Sequence, residues 1–99
     1  IDIATASGAL VSAIADGTVI SSSWTPNYGY VLRIQHGQGY MSVYKHCQSL
    51  WYEEGDLVQK GDILGEVGDV GILSSGPHLH FELWRRGTPL NPESFLTQN

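Results

Sequence analysis

The chain has 99 residues, the size of a single domain, and its 41% hydrophobic and 15% charged residues describe a globular protein, not a disordered one. Five Lys plus Arg against ten Asp plus Glu leave a net charge of -5, the wrong sign for a nucleic-acid partner. A lone cysteine, Cys47, excludes a disulfide framework and a cysteine-rich zinc module, and no apolar run approaches the ~18 residues of a membrane span.

The sequence opens at Ile1-Asp2-Ile3 with no Met and no signal peptide, and reads as a mature or trimmed domain over 1–99, missing its N-terminal edge. Twelve glycines and four prolines punctuate it, and short β-rich runs lie between them. Leu10–Ile14 leads into Asp16-Gly17, followed by Thr18-Val19-Ile20, and Asp-Gly between apolar runs predicts a hairpin. Tyr30–Ile34 and Tyr40–His46 are the next strands, split by Gly37-Gln38-Gly39, which makes His36 a loop residue. Gly55-Asp56 recurs as Gly61-Asp62, an echo of lipoyl- and biotinyl-type β folds. Lys60 lacks the hairpin-tip context of a modified carrier lysine, so the repeat reads as architecture. Ile63–Val67 and His78–Trp84 complete the set. Only Asn91–Leu96 suits a short helical turn, with Asn91 as cap and Pro92 at its first position. Six or more closely spaced strands predict an all-β antiparallel sandwich or barrel-like core.

Chemistry concentrates in Gly76-Pro77-His78-Leu79-His80-Phe81-Glu82-Leu83. At period two, Leu79, Phe81 and Leu83 face the core while His78, His80 and Glu82 face away. Two imidazoles about 7 Å apart along a strand, from twice the ~3.3 Å rise, can serve one small site, or can be a solvated face. By the same alternation, Ser42, Tyr44 and His46 share a face, so His46 can join a site or be exposed. Cys47 points the other way, which makes a poor thiolate–imidazole pair and suits a buried small hydrophobe. Asp2 taken alone is an ordinary exposed carboxylate. There is no nucleophile elbow, no phosphate-cradling glycine loop and no His-Glu-x-x-His helix. His with carboxylate remains, a ligand set for zinc hydrolysis.

Several blocks taken in order carry a resemblance: Ile1-Asp2-Ile3, Ala13–Val19, Tyr28-Gly29-Tyr30-Val31, His36–Tyr40, Tyr44-Lys45-His46, Gly55–Gly61, Ser75–Trp84 and Asn91-Pro92. The chain resembles the lysostaphin/LytM-type zinc metallo-endopeptidases of bacterial cell walls over nearly its whole length. The resemblance implies the antiparallel β core called the duplicated hybrid motif, and hydrolysis of stem or cross-bridge peptides in peptidoglycan by a Zn2+ enzyme. It also implies a periplasmic or extracellular location. Matched by position, Asp2 and His80 correspond to metal ligands, and His46 and His78 to catalytic histidines that do not bind the metal. The family's first histidine ligand is expected four residues before Asp2, upstream of Ile1. Trp24, Trp51, Tyr28 and Tyr30 are candidates to line a peptide groove, or to pack. Two other readings remain open: a metal-poor binding or regulatory module, and a carrier domain modified at Lys60 or phosphorylated on histidine.

Overall fold

The structure, a computed structural model, describes residues 2–4, 8–68 and 78–91. Among these described residues nine strands form one curled, wholly antiparallel sheet: β1 (Asp2–Ala4), β2 (Leu10–Ser12), β3 (Gly17–Thr25), β4 (Gly29–Gln35), β5 (Tyr40–Leu50), β6 (Leu57–Val58), β7 (Ile63–Val67), β8 (His78–Arg85) and β9 (Thr88–Leu90). Their order is β1-β8-β5-β4-β3-β6, with β7 joining β5 to β2 and β9 lying on β8. The all-β expectation is borne out. A 3-10 turn at Gly37–Gly39 is the only helical element among the described residues, and the helical turn expected over Asn91–Leu96 falls outside them beyond Asn91.

The core fills one side of the curl. Val11, Val19, Leu32, Ile34, Tyr44, Cys47, Leu64, Phe81 and Leu83 are all buried there. Alternation supplies it: in β4 Leu32 and Ile34 enter the core, and in β8 Phe81 and Leu83 do so with Leu79 packed against them.

The Asp16-Gly17 hairpin is not formed. β2 pairs with β7, whereas β3 pairs with β4 and β6. The Asp16 carboxylate accepts from the Lys60 N–H at 2.7 Å, and its carbonyl meets His36 Nδ1 at 2.8 Å. Gly17 is required for closeness, since a Cβ there would stand 2.5 Å from the Gln35 carbonyl oxygen. Its dihedral is not of the left-handed kind that the hairpin signal invokes.

The Gly-Asp echo is architecture, and its two copies fold alike. Asp56 N–H donates to the Glu53 carbonyl at 3.1 Å, and Asp62 N–H to the Gln59 carbonyl at 2.9 Å. Each aspartate's Oδ2 also accepts, at 2.8 Å, from the N–H of the residue that opens its turn. Gly55 (φ 94°) and Gly61 (φ 88°) hold the left-handed position that such turns need. The first turn exchanges two backbone bonds with Val19 and the second exchanges two with Ala13. The duplication in sequence is therefore a duplication in strand docking.

Candidate active site

β8 carries the chemistry as period two predicts. Phe81 and Leu83 are buried, while His78, His80 and Glu82 are half-buried on the opposite face. The register sets Lys45 of β5 opposite His80 on one side and Asp2 of β1 opposite it on the other, with Ala4 opposite His78. Two of the residues singled out from the sequence, Asp2 and His80, thus hold directly paired backbone positions.

His46 arrives by a different route from the one expected. Tyr44 and Cys47, three residues apart, pair with Leu32 and Tyr30, two residues apart. That extra residue on β5 is a β-bulge. His46 lies inside it with φ 69°, a left-handed conformation costing about 1–3 kcal/mol for a residue other than glycine. Its N–H donates to the Tyr28 carbonyl at 2.7 Å, and its carbonyl accepts from the Gly68 N–H at 3.0 Å. Because of the bulge, Tyr44 and Cys47 both enter the core, and His46 does not share the face of Ser42 and Tyr44 that simple alternation assigned it. Its ring instead meets His78 with centroids 4.6 Å apart and His80 at 6.4 Å. At 4% exposure it is buried at the base of this cluster. Cys47 is separated from it, as expected, and burial pushes its thiol up to about 12.

Glu82 organises the outer side of the cluster. Its Oε2 accepts from Lys45 Nζ at 2.9 Å and from His80 Nε2 at 2.8 Å, and its Oε1 accepts from Trp84 Nε1 at 3.0 Å. Burial alone would raise this carboxyl, but the hydrogen bonds from Lys45, Trp84 and His80, with the Lys45 charge, outweigh it and bring the group down to about 2. A carboxylate at His80 Nε2 requires a proton on that nitrogen, so in the neutral ring Nδ1 carries the lone pair. This is the carboxylate–histidine arrangement that orients metal-ligating imidazoles. The Lys45 ammonium also lies 4.2 Å from the Tyr28 ring centre, and Tyr28 in turn packs edge-on to His46 at 5.8 Å. Sequence reading put Glu82 on this face without a role. It missed Lys45, whose part depends on a strand pairing that no local signal reveals.

The other candidates fall elsewhere. Trp24 and Tyr30 are cross-strand partners stacked edge to face at 5.3 Å, and Tyr30 continues the Leu32 side of β4. Of the four aromatic residues considered for a groove, only Tyr28 has a described contact with the histidines. His36 lies outside the strands, as expected, but it is buried, with Nε2 2.7 Å from Ser42 Oγ. It belongs to the structural interior. A depression of about 590 Å³ is bordered by His36, Asp16, Tyr40 and Lys60 and not by the histidine cluster.

The donor chemistry of His80 fits a zinc ligand. Among the described residues, however, no group of three or more His, Cys, Asp or Glu side chains is disposed around one metal position, and the side chain of Asp2 is not among those described.

Over residues 1–92 the sequence matches the family described as Peptidase family M23. The chain belongs to peptidase family M23. Curated M23 relatives include the murein hydrolase activator EnvC of Escherichia coli, 40% identical over 90% of this chain and 21% of its own length. The peptidoglycan DD-endopeptidase ShyA of Vibrio cholerae is 38% identical over 91% of this chain and 21% of its own. Among solved structures, a zinc-containing peptidase from Vibrio cholerae is 38% identical with a TM-score of 0.85, over 90% of this chain and 27% of that one. The lysostaphin catalytic domain from Staphylococcus simulans is 28% identical with a TM-score of 0.87, over 98% and 77%. The lysostaphin/LytM-type resemblance is borne out. The chain spans about a fifth of the length of the two curated relatives named.

Proposed function

We propose that this M23 domain is a zinc endopeptidase that hydrolyses peptide bonds of bacterial peptidoglycan, in the periplasm or outside the cell. The observation that carries the reading is the convergence of His46, His78 and His80, brought from β5 and β8, beside a strand position occupied by Asp2. Residues directly opposite in an antiparallel pair have Cβ atoms about 4.5–5.5 Å apart, so Asp2 and His80 are suitably placed to be two ligands of one ion. A catalytic zinc ordinarily takes three protein ligands, and the resemblance puts the third four residues ahead of Asp2. When bound, zinc would supply Lewis-acid polarisation of the scissile carbonyl and a more acidic water.

The chain's own groups divide the remaining work. Glu82 holds His80 in the tautomer that presents Nδ1, and Lys45 keeps Glu82 ionised. His46 and His78 take a proton from the attacking water and return it to the leaving amine. Burial of His46 excludes solvent from its ring, and the Tyr28 carbonyl fixes its backbone in the bulge.

One relative favours a second reading. EnvC bears the name of an activator of hydrolases, which is consistent with a regulatory module on the same scaffold. Incubating the zinc-loaded, full-length parent protein with purified peptidoglycan separates the two. Release of new amino termini supports the enzyme, and zinc binding without release contradicts it.

A further inference from the structure

The core side of β8 does not close completely. The residues of this strand that face that side are, in order, Leu79, Phe81, Leu83 and Arg85. Leu79 and Phe81 border a hollow of about 140 Å³ together with Leu10, Ile14 and Tyr44. Leu83 borders the depression of about 590 Å³, and Ile14 is shared by both. The two spaces therefore adjoin along β8 as one apolar groove, with Arg85 beyond its end. Six residues at ~3.3 Å put Arg85 about 20 Å from Leu79.

Cations gather at that end. Lys60 borders the larger depression. Arg85 lies over the ring of Tyr40, which also borders it. Arg86 donates its N–H to the Gly39 carbonyl at 2.9 Å, between the bordering residues Gln38 and Tyr40. Three of the five Lys and Arg in a chain of net charge -5 thus share one place, and all three are exposed. Asp16, which borders the depression, and Asp62 of the adjoining turn each accept a backbone N–H, from Lys60 and Gln59. Polar groups buried in the floor are already bonded. His36 meets the Asp16 carbonyl through Nδ1 and Ser42 Oγ through Nε2, and the Tyr44 hydroxyl accepts from the Ile14 N–H at 3.4 Å. A peptide lying on that floor would strand its own N–H and C=O groups, whereas a hydrocarbon chain would strand nothing.

We propose that this groove binds a single-chain anionic amphiphile, a free fatty carboxylate. Its alkyl chain would follow Leu83, Ile14 and Phe81 toward Leu10, with the head among Lys60, Arg85 and Arg86. The groove is separate from the histidine cluster, so its occupancy does not depend on the peptidase reading. Calorimetry of the full-length parent protein with octanoate, decanoate and dodecanoate, kept below micelle formation, tests the site. Affinity is expected to rise about fourfold per buried methylene. Decanoate is expected to bind about three- to fivefold more tightly than decanol, and decylammonium more weakly than either. Lys60→Gln combined with Arg85→Gln removes the preference for the acid and leaves decanol unchanged. Ile14 is 37% exposed, and Ile14→Glu abolishes binding of both; urea unfolding checks its fold, and the chain-length series stands without it. Affinity independent of chain length, equal binding of decanoate and decylammonium, decanoate binding that survives Ile14→Glu, or no binding would overturn the assignment. Retention on phosphatidylglycerol vesicles that Ile14→Glu abolishes would give the groove to a bilayer instead, and would overturn it as well.

Discussion

The rings of His46 and His78 lie 4.6 Å apart, although one belongs to the middle of β5 and the other to the first residue of β8. The bulge that turns His46 out of the core produces this proximity, and it forces a left-handed backbone on a residue that ordinarily avoids one. Strain kept at such a point suits a functional role.

That strain makes a prediction separating stability from chemistry. Replacing His46 by Gly relieves the backbone, while replacing it by Ala retains the strain and loses the ring. His46→Gly should therefore be more stable than His46→Ala by about 1 kcal/mol, measured by urea unfolding. Both should lose roughly 10²–10⁴ in hydrolysis rate while retaining bound zinc. Loss of zinc from either variant would move His46 into the ligand set.

Glu82 sets the acid limit of the site. Its carboxyl titrates near 2 in the folded chain, below the ordinary 4.5, because Lys45, Trp84 and His80 donate to it against the opposing effect of burial. A depressed acid stabilises fully above its unfolded value and loses that contribution as pH falls through the folded one. The stability gap between wild type and Glu82→Gln should be constant above about pH 5 and should shrink toward pH 2. Urea midpoints across that range check it, and a gap that widens on acidification would contradict it.

Cys47 has no exposed surface, and burial raises its thiol to about 12. At neutral pH it should fail to react with a thiol reagent in the folded protein and react fully in guanidinium chloride. Prompt labelling of the native chain would show that the β5 bulge opens.

The interior hydrogen bond between His36 Nε2 and Ser42 Oγ, 2.7 Å, ties the end of β4 to β5. His36→Phe leaves the Ser42 hydroxyl and the Asp16 carbonyl without this partner in a buried setting, and should cost about 1–3 kcal/mol. Peptidoglycan hydrolysis per folded molecule should be unchanged, because His36 lies apart from the other three histidines.

Much of this was legible in the residues. Period two in His78–Leu83 separated the core face from the polar face, because β8 is regular and Phe81 and Leu83 on one face are buried with Leu79 packed beside them. The repeated Gly-Asp pairs were legible as architecture from their spacing alone, while the turns they build and the positive φ of each glycine came only with the structure. His46 resisted the same method, since one extra residue on β5 reverses every alternation argument after Tyr44, and a bulge has no composition of its own. Asp16-Gly17 misled for a related reason. The glycine answers a close approach of the Gln35 carbonyl, a tertiary demand that imitates a turn signal. Lys45 acquires meaning only when β5 is set beside β8.

Zinc-edge anomalous diffraction from crystals of the metal-loaded full-length parent would test the arrangement most directly. The account predicts a single peak in contact with both the Asp2 carboxylate and His80 Nδ1, with the His46 and His78 rings alongside but outside the coordination sphere. A peak that omits Asp2 or His80, or no peak where those two strand positions face each other, would contradict it.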